Sequence, residues 1–137
     1  MATRIAVIDD DVDILTLLQE LLTEEGYEAP TVQAGTAAYP HVRQLAPALI
    51  ILDISTESQT TGWELLERMH RDSVLHATPV IVSAADAPGL TERRGALEAR
   101  GDTILIKPFE LSSLLALVEQ LTGGSGSGAP PSSQSPR

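Results

Sequence analysis

The chain has 137 residues, 42% of them hydrophobic, so it is long enough to bury the core of one domain. Its net charge of −10 argues against non-specific binding to nucleic acid or to an anionic membrane surface. The absence of cysteine excludes disulfides and thiolate metal sites. An acidic N-terminus and the lack of an apolar stretch of ~20 residues predict a soluble, cytoplasmic protein.

Five apolar runs alternate with five helical patterns along the chain. The runs predicted as strands are residues 4–8, 28–33, 48–54, 79–84 and 103–106. The segments predicted as helices are residues 11–26, 36–46, 62–72, 89–101 and 110–121. The second and fourth helical patterns are weak, because Pro40 interrupts one and Ala, Gly and Arg dominate the other. This alternating order predicts a parallel sheet with helices on both faces.

Three helical patterns repeat apolar residues at helical spacing, and the third and fifth are amphipathic. In the first, the residues at helical spacing are Ile14, Leu17, Leu18, Leu21 and Leu22. In the third, they are Trp63, Leu66 and Met69 or Leu65. In the fifth, they are Leu111, Leu114, Leu115, Val118 and Leu121.

The predicted fold is a flavodoxin-like (βα)5 three-layer α/β sandwich, because five such strands most often take the order 2-1-3-4-5. Pro30 agrees with this order, since proline is confined to edge strands and the second strand lies at an edge. The predicted domain spans residues 1–122. Residues 123–137 are rich in Gly, Ser and Pro and are predicted to be a flexible tail or linker.

Polar side chains end four of the five apolar runs. Asp9 and Asp10 end the first strand, Asp53 lies at the end of the third, and Ser83 at the end of the fourth. Lys107, the only lysine of the chain, ends the fifth. Sites in open α/β sheets form beyond the carboxyl ends of the strands. We therefore expect these five side chains to meet at one rim of the sheet.

The charges at this rim predict a bound metal ion. Neighbouring strands lie ~4.8 Å apart, and two carboxylates ~4 Å apart repel by about 4 kcal/mol at an effective dielectric of about 20. The long stem of Lys107 can reach Asp53 across roughly 10 Å, but one ammonium group cannot balance three carboxylates. The nearby ligands are oxygens, which favours a hard divalent ion, and a shell shared with water and phosphate favours Mg²⁺ over Ca²⁺. We expect Asp10 and Asp53 as direct ligands and Asp9 mainly through water.

Four motifs at these strand ends resemble one known family. They are VIDDD after the first strand, LIILDI in the third, PVIVSA in the fourth and ILIKPF at the fifth. Each motif is weak alone, but all four in this order and at these separations are specific. From residue 3 to about residue 122 the chain resembles the receiver domain of two-component response regulators.

The resemblance implies that Asp53 is the phosphoacceptor, whose carboxylate attacks phosphorus and forms an aspartyl phosphate. It implies that Asp10, Asp53 and the backbone carbonyl of Ser55 hold Mg²⁺, with Asp9 contributing through water. The ion neutralises charge in the in-line transition state. The donor is implied to be a histidine kinase or a phosphotransfer protein, so the chain is expected to be a phosphorelay component and not a turnover enzyme.

The resemblance also implies a switch. Lys107 pairs with the phosphoryl group, Ser83 donates its hydroxyl to a phosphoryl oxygen, and the Lys107–Pro108 bond is cis. The added negative charge draws both side chains inward, and the surface of the fourth helix, fifth strand and fifth helix changes its population. That surface is expected to bind an output partner, which the sequence does not identify. Direct contact with nucleic acid or a membrane is not expected.

Three positions depart from the family pattern. Glu57 occupies the position four residues after Asp53, where the family usually has proline. Gly62 comes nine residues after Asp53 where the family has glycine at eight, so the intervening loop is longer by one residue. Ile104 replaces an aromatic switch residue three positions before Lys107. These departures favour an alternative function, a degenerate receiver that acts only as a protein-interaction module.

A third alternative is a phosphatase that also uses an aspartyl phosphate, as haloacid-dehalogenase-like enzymes do. Their nucleophile lies on the first strand in an Asp-x-Asp-x-Thr/Val pattern. Here the sequence after Asp9 runs Asp-Asp-Val-Asp, so that pattern fails. The acidic run after the first strand has a plainer interpretation as a helix cap, which is the better one for a single aspartate but not for a pair facing Asp53.

The remaining candidates are predicted to be structural. Trp63 is interpreted as a partly buried anchor, and Arg93 and Arg94 as a solvated face. Three histidines have no partner at metal-ligand spacing and are predicted at the surface: His41, His70 and His76.

Overall fold

The computed structural model describes residues 2–35, 37–54, 59–85 and 90–123. Strands and helices alternate along these ranges as the sequence predicts. In chain order they are β1 (Ile5–Asp9), α1 (Val12–Glu24), β2 (Thr31–Gln33), α2 (Ala38–Leu45), β3 (Leu49–Ile54), α3 (Gln59–Arg71), β4 (Val80–Ala85), α4 (Leu90–Ala99), β5 (Thr103–Lys107) and α5 (Leu111–Thr122).

The strands form one parallel sheet of order β2-β1-β3-β4-β5, which confirms the predicted topology. At the centre of the sheet, Leu52 of β3 pairs with Ile8 of β1 and with Val82 of β4. β1 is buried along its whole length, because helices cover both faces. Pro30 precedes the edge strand β2, and its carbonyl accepts the Val7 N–H at 3.0 Å.

Two apolar layers lie on the two faces of the sheet. One contains buried side chains of α2, α3 and α4, and the other contains buried side chains of α1 and α5. The helix residues of the first layer are Ala38, Val42, Leu65, Leu66, Met69 and Leu97. Those of the second are Leu15, Leu18, Leu22, Leu114 and Val118. The three-layer sandwich is therefore confirmed.

The buried face of α1 contains only part of the apolar set at helical spacing. Leu15, Leu18 and Leu22 face the sheet, whereas Ile14 and Leu17 are 37% and 45% exposed. The run of leucines in this helix satisfies two overlapping stripes, so spacing alone could not choose between them. The face of α1 that carries Ile14 and Leu17 is therefore apolar and exposed.

Two local features explain how α2 forms despite its proline and how α3 packs on the sheet. Pro40 is the third residue of α2, where a backbone N–H has no partner within the helix, so the proline costs no hydrogen bond. Gly62 lets α3 approach β3 closely, because a Cβ at this position would lie 2.9 Å from Cγ1 of Ile54. α4 is a regular helix of ten residues despite its low apolar content.

Some predictions fall outside the described ranges. The predicted tail, residues 123–137, lies outside them beyond Gly123, and so do Ser55 and Glu57. None of the helices in the described ranges combines the length and the apolar character that a membrane span requires.

Candidate functional site

The carboxyl ends of four strands meet at one rim, and the described site residues lie there together. Asp53 of β3 is in register with Ser83 of β4, and Ala85 of β4 is in register with Lys107 of β5. Asp9 ends β1, one residue beyond the pair formed by Ile8 and Leu52. Parallel pairing thus converts four distant sequence positions into one cluster.

Three carboxylates form the acidic part of this cluster. One oxygen from each of Asp9, Asp10 and Asp53 lies within 4.8 Å of the others. Asp9 is buried, the Asp53 side chain is 9% exposed, and Asp10 faces solvent. The cluster therefore opens to solvent on the Asp10 side. We call these three residues the acidic rim.

The environment of Asp9 opposes its negative charge. Burial is the main cause that raises its pKa to about 6, and the carboxylates of Asp53 and Asp10 add to the rise. The backbone N–H of Asp11 donates to Asp9 Oδ1 at 3.0 Å and acts in the other direction. A cation at the acidic rim would relieve this unfavourable burial of charge.

The third aspartate of the run has a separate role. Asp11 is the N-cap of α1, and its Oδ1 accepts the Asp13 N–H at 2.9 Å. The capping interpretation thus applies to Asp11, whereas Asp9 and Asp10 face Asp53. One acidic triplet serves both the helix start and the acidic rim.

Asp53 is the carboxylate of the acidic rim that contacts polar side chains of β4 and β5. Its Oδ1 forms an ion pair with Lys107 Nζ and accepts a hydrogen bond from Ser83 Oγ at 3.3 Å. The Lys107 side chain is 42% exposed, so its ammonium group can follow a group that arrives from solvent. The Lys107–Pro108 peptide bond is cis, as the resemblance implies.

The donor chemistry of the acidic rim fits Mg²⁺. Its three groups are all carboxylates, and hard oxygen ligands suit Mg²⁺ better than they suit softer metal ions. Lys107 supplies one positive charge against three negative ones, so a divalent ion would bring the site to balance. The carbonyl of Ser55, the remaining expected ligand, lies outside the described residues.

The prediction that His70 lies at the surface is wrong. Its side chain is 8% exposed, and Nε2 lies 2.6 Å from Oδ2 of the buried Asp102. Asp102 also accepts the Val80 N–H at 2.9 Å, so it joins α3 to the starts of β4 and β5. Burial raises the pKa of Asp102, and the hydrogen bond with His70 opposes that rise. The partner lies 32 residues away, so no local pattern indicated it.

A second buried aspartate was also missed. Asp72 accepts the Tyr39 hydroxyl, Arg43 Nε at 2.8 Å, and the backbone N–H groups of Val74 at 2.7 Å and Leu75 at 3.1 Å. The hydrogen bond from Tyr39 is the main cause that lowers the pKa of Asp72 to about 2. Aspartate often accepts hydrogen bonds from the backbone N–H groups two and three residues later in a turn. This turn signal could have been recognised in the sequence.

The structure also shows the surroundings of the remaining candidates, which are Trp63, Arg93 and Ile104. Trp63 is half-buried on α3, and the guanidinium of Arg93 lies 4.3 Å from the centre of its ring. Ile104 is 6% exposed and packs in the same apolar layer as Leu97 of α4. An aliphatic side chain therefore occupies this position in the core.

Comparison with known proteins identifies relatives of the whole described domain. The family model of the response regulator receiver domain matches residues 5–119. The transcriptional regulatory protein PrrA of Mycobacterium tuberculosis is 34% identical over 133 residues, covering 96% of this chain and 54% of PrrA. The chain spans about half the length of the curated relatives it matches.

Two solved structures are similar in fold. One is the response regulator TrrA of Thermotoga maritima in complex with Mg²⁺ and BeF, with a TM-score of 0.71 and 28% identity, covering 87% of this chain and 98% of that one. The other is the chemotaxis protein CheY4 of Vibrio cholerae, with a TM-score of 0.74 and 24% identity, covering 88% and 99%. The second likeness concerns the fold alone.

Proposed function

The chain belongs to the response regulator receiver domain family, and we propose that it accepts a phosphoryl group on Asp53 in two-component signalling. The observation that carries the proposal is the position of Asp53 between two kinds of partner. On one side lie the carboxylates of Asp9 and Asp10, and on the other lie Lys107 and Ser83. A phosphoryl group on Asp53 would meet a cation and a hydroxyl donor.

The reaction follows from the chemistry of the Asp53 carboxylate. A carboxylate oxygen forms a bond to the phosphorus of a phosphohistidine on a histidine kinase or phosphotransfer protein, and the P–N bond to the imidazole breaks. The imidazole keeps the electron pair of that bond and takes up a proton. Receiver domains are mainly signalling modules, so this transfer is a modification of the chain and not turnover of an external substrate.

Asp10 and Asp53 are the proposed direct ligands of Mg²⁺, with Asp9 acting through water and the carbonyl of Ser55 completing the protein's contribution. When bound, the ion supplies charge neutralisation for the phosphoryl oxygens. Asp9 is buried beside Asp53, so its carboxylate contributes to the site from the interior and not from the exposed side. TrrA was solved with Mg²⁺ and BeF, which supports the same ligand chemistry for this rim.

Lys107 and Ser83 are the proposed sensors of the phosphoryl group. Both contact Asp53 Oδ1, so a phosphoryl group on that carboxylate changes the contacts of two strands at once. Lys107 ends β5, and Ile104 on the same strand lies in the same apolar layer as Leu97 of α4. We propose that aliphatic packing here couples β5 to the surface of α4, β5 and α5.

The phosphodonor must dock at this rim, because its histidine has to reach Asp53. Four of the exposed large apolar side chains lie on α1 and α5, which both begin at this rim: Val12, Ile14, Leu17 and Leu111. We expect Leu17→Glu to slow transfer from a protein donor at least about tenfold without slowing labelling by acetyl phosphate. The matched control is Val74→Glu, since Val74 is 43% exposed beyond the other end of α3.

A second candidate function is a degenerate receiver that binds partners without phosphorylation. The observation that favours it is Ile104, whose buried aliphatic side chain cannot present a polar tip at the surface. Beryllofluoride with Mg²⁺ separates the two functions. The phosphoacceptor should show a saturable spectral change that Asp53→Ala abolishes, whereas the degenerate receiver should show none.

The direct test uses a radiolabelled phosphohistidine donor. Wild-type protein should become labelled in Mg²⁺ and lose most labelling in chelator, and Asp53→Ala and Asp53→Asn should remain unlabelled. Label that persists in both variants would contradict the assignment of Asp53.

A further inference from the structure

A groove between α3 and α4 lies away from the acidic rim and has a composition unlike the rest of the chain. Its cavity volume is about 160 Å³. We call it the α3–α4 groove, and it is lined by Trp63, Leu66, Glu67, His70, Arg71, Arg93, Ala96, Leu97 and Arg100.

The charge of the groove is opposite to that of the chain. Three arginines line it (Arg71, Arg93 and Arg100), while the whole chain carries a net charge of −10. Glu67 is the single carboxylate among the lining residues, and it lies 3.4 Å from Arg71. Both of these side chains are more than half exposed, so this pair is weak, and Arg93 and Arg100 are not part of it.

The arginine charge is held against an apolar wall. The Arg93 guanidinium stacks over the Trp63 ring, 4.3 Å from its centre, which fixes the charged group while leaving its N–H donors at the edge. Leu66 and Leu97, which are buried, form the inner side of the groove. The groove therefore combines an apolar surface with fixed cation donors, a combination that suits carboxylates carried on apolar stems.

We infer that the α3–α4 groove binds an acidic segment of a partner protein, with a carboxylate at Arg93 and Arg100 and an aliphatic side chain against Leu97. The negative charge of the rest of the surface would repel such a segment elsewhere and so direct it to this groove. The lining residues form the groove without a phosphoryl group on Asp53, so binding does not require phosphorylation.

Two other occupants fit less well. Small-molecule pockets usually have volumes of roughly 300–1,000 Å³, which makes the groove small for a whole nucleotide. Residues 124–137 contain no aspartate or glutamate, so this part of the chain lacks the side-chain carboxylates that the groove would recognise. A cavity of about 160 Å³ is suited to one or two side chains of a longer segment.

The test uses a fluorescein-labelled peptide of repeated Leu-Glu-Glu-Leu units, and the same peptide with lysine in place of glutamate. Fluorescence anisotropy should show saturable binding of the acidic peptide alone, with weaker binding at higher salt. Trp63 is the only tryptophan, so its emission should change in the same titration. Arg93→Ala should weaken binding at least about tenfold, and Arg100→Ala should also weaken it.

The matched control is Arg68→Ala. Arg68 also lies on α3 and stacks over an aromatic ring, Tyr39 at 4.1 Å, but it does not line the groove. Its removal should leave peptide affinity unchanged. Equal losses in Arg68→Ala and Arg93→Ala, or equal binding of both peptides, would overturn the inference.

Three further outcomes are decisive. Asp53→Asn should bind the acidic peptide as the wild type does, so failure of the phosphoacceptor assignment leaves this result intact. Binding of ATP that competes with the peptide at lower concentration would overturn the inference in favour of a nucleotide. Self-association in sedimentation that Arg93→Ala abolishes, with no peptide binding, would overturn it in favour of a second copy of the chain.

Discussion

The acidic rim and Asp72 show two opposite treatments of aspartate in one domain. At the carboxyl ends of the strands, three carboxylates crowd together and burial raises the pKa of Asp9 to about 6. Between α3 and the start of β4, Asp72 is also buried, but four donors surround it and its pKa falls to about 2. Asp9 and Asp72 are both buried, and the number of hydrogen-bond donors around each carboxylate distinguishes them.

The difference separates charge that stabilises the fold from charge that is held for a ligand. Asp72 fixes Tyr39 and Arg43 of α2 to the turn before β4, so its negative charge is satisfied within the chain. Asp9 has the Asp11 N–H as its hydrogen-bond donor and carboxylates as neighbours. The acidic rim therefore keeps an unbalanced charge that a cation from solution can neutralise.

The largest loss of stability should come from Asp72→Ala. This change leaves the Tyr39 hydroxyl and the Leu75 N–H without their acceptor in a buried place. Thermal unfolding followed by circular dichroism should show a clearly lower midpoint. Asp10→Ala is the matched control, because Asp10 is exposed and crowded by like charges. In chelator, its midpoint should be equal to or above that of the wild type.

The pH dependence of stability should carry the signature of Asp72. A carboxyl whose pKa is lowered on folding stabilises the native state above its unfolded pKa, and that stabilisation is lost as the pH falls to the folded value. For Asp72 this window runs from 3.8 down to about 2. The difference in midpoint between wild type and Asp72→Asn should shrink as pH falls across this window. A difference that stays constant down to pH about 2 would contradict the assigned partners.

Mg²⁺ should stabilise the wild type through the acidic rim. At a concentration of ~100 times its Kd, a ligand that binds only the native state adds about 2.7 kcal/mol to the free energy of unfolding. Chelation should remove this gain, and Asp10→Asn should reduce it. Asp72→Asn should keep the gain, because Asp72 lies away from the rim. Loss of the Mg²⁺ effect in Asp72→Asn alone would place the ion elsewhere.

The smallest effect on stability should come from Asp11→Ala. This variant tests whether Asp11 only caps α1 while Asp9 and Asp10 belong to the acidic rim. Loss of the N-cap should lower the free energy of unfolding by about 1 kcal/mol. The gain from Mg²⁺ should remain as in the wild type, since Asp11 Oδ1 is committed to the Asp13 N–H. A reduced Mg²⁺ effect in urea titrations of this variant would make Asp11 part of the site.

The sequence predicted the sheet because its signals are local and strong. Continuous apolar runs such as LIILDI in β3 belong to strands buried on both faces. The order of strands then follows from right-handed crossovers, and the polar residues that end the runs must meet at one rim. Asp53, Ser83 and Lys107 were therefore predictable neighbours although they are far apart in the chain.

The sequence could not predict features that depend on partners chosen by the fold. His70 is buried beside Asp102, a residue 32 positions away that precedes β5, so the contact depends on the tertiary fold. In α1, two stripes of apolar residues have equal helical spacing, so spacing could not predict which stripe is exposed. Contact with the sheet determines which stripe is buried. The α3–α4 groove likewise requires two helices that are adjacent in space.

The most direct measurement for the assignment of Asp53 is chemical mapping of the modified residue. Borohydride reduces an aspartyl phosphate to homoserine, and trypsin releases residues 44–68, in which Asp53 is the only aspartate. After incubation with a phosphohistidine donor and Mg²⁺, mass spectrometry should find homoserine at position 53 and should find none in the chelator control. Homoserine at Asp9 or Asp10 instead, or a phosphorylated chain with no homoserine, would contradict the account.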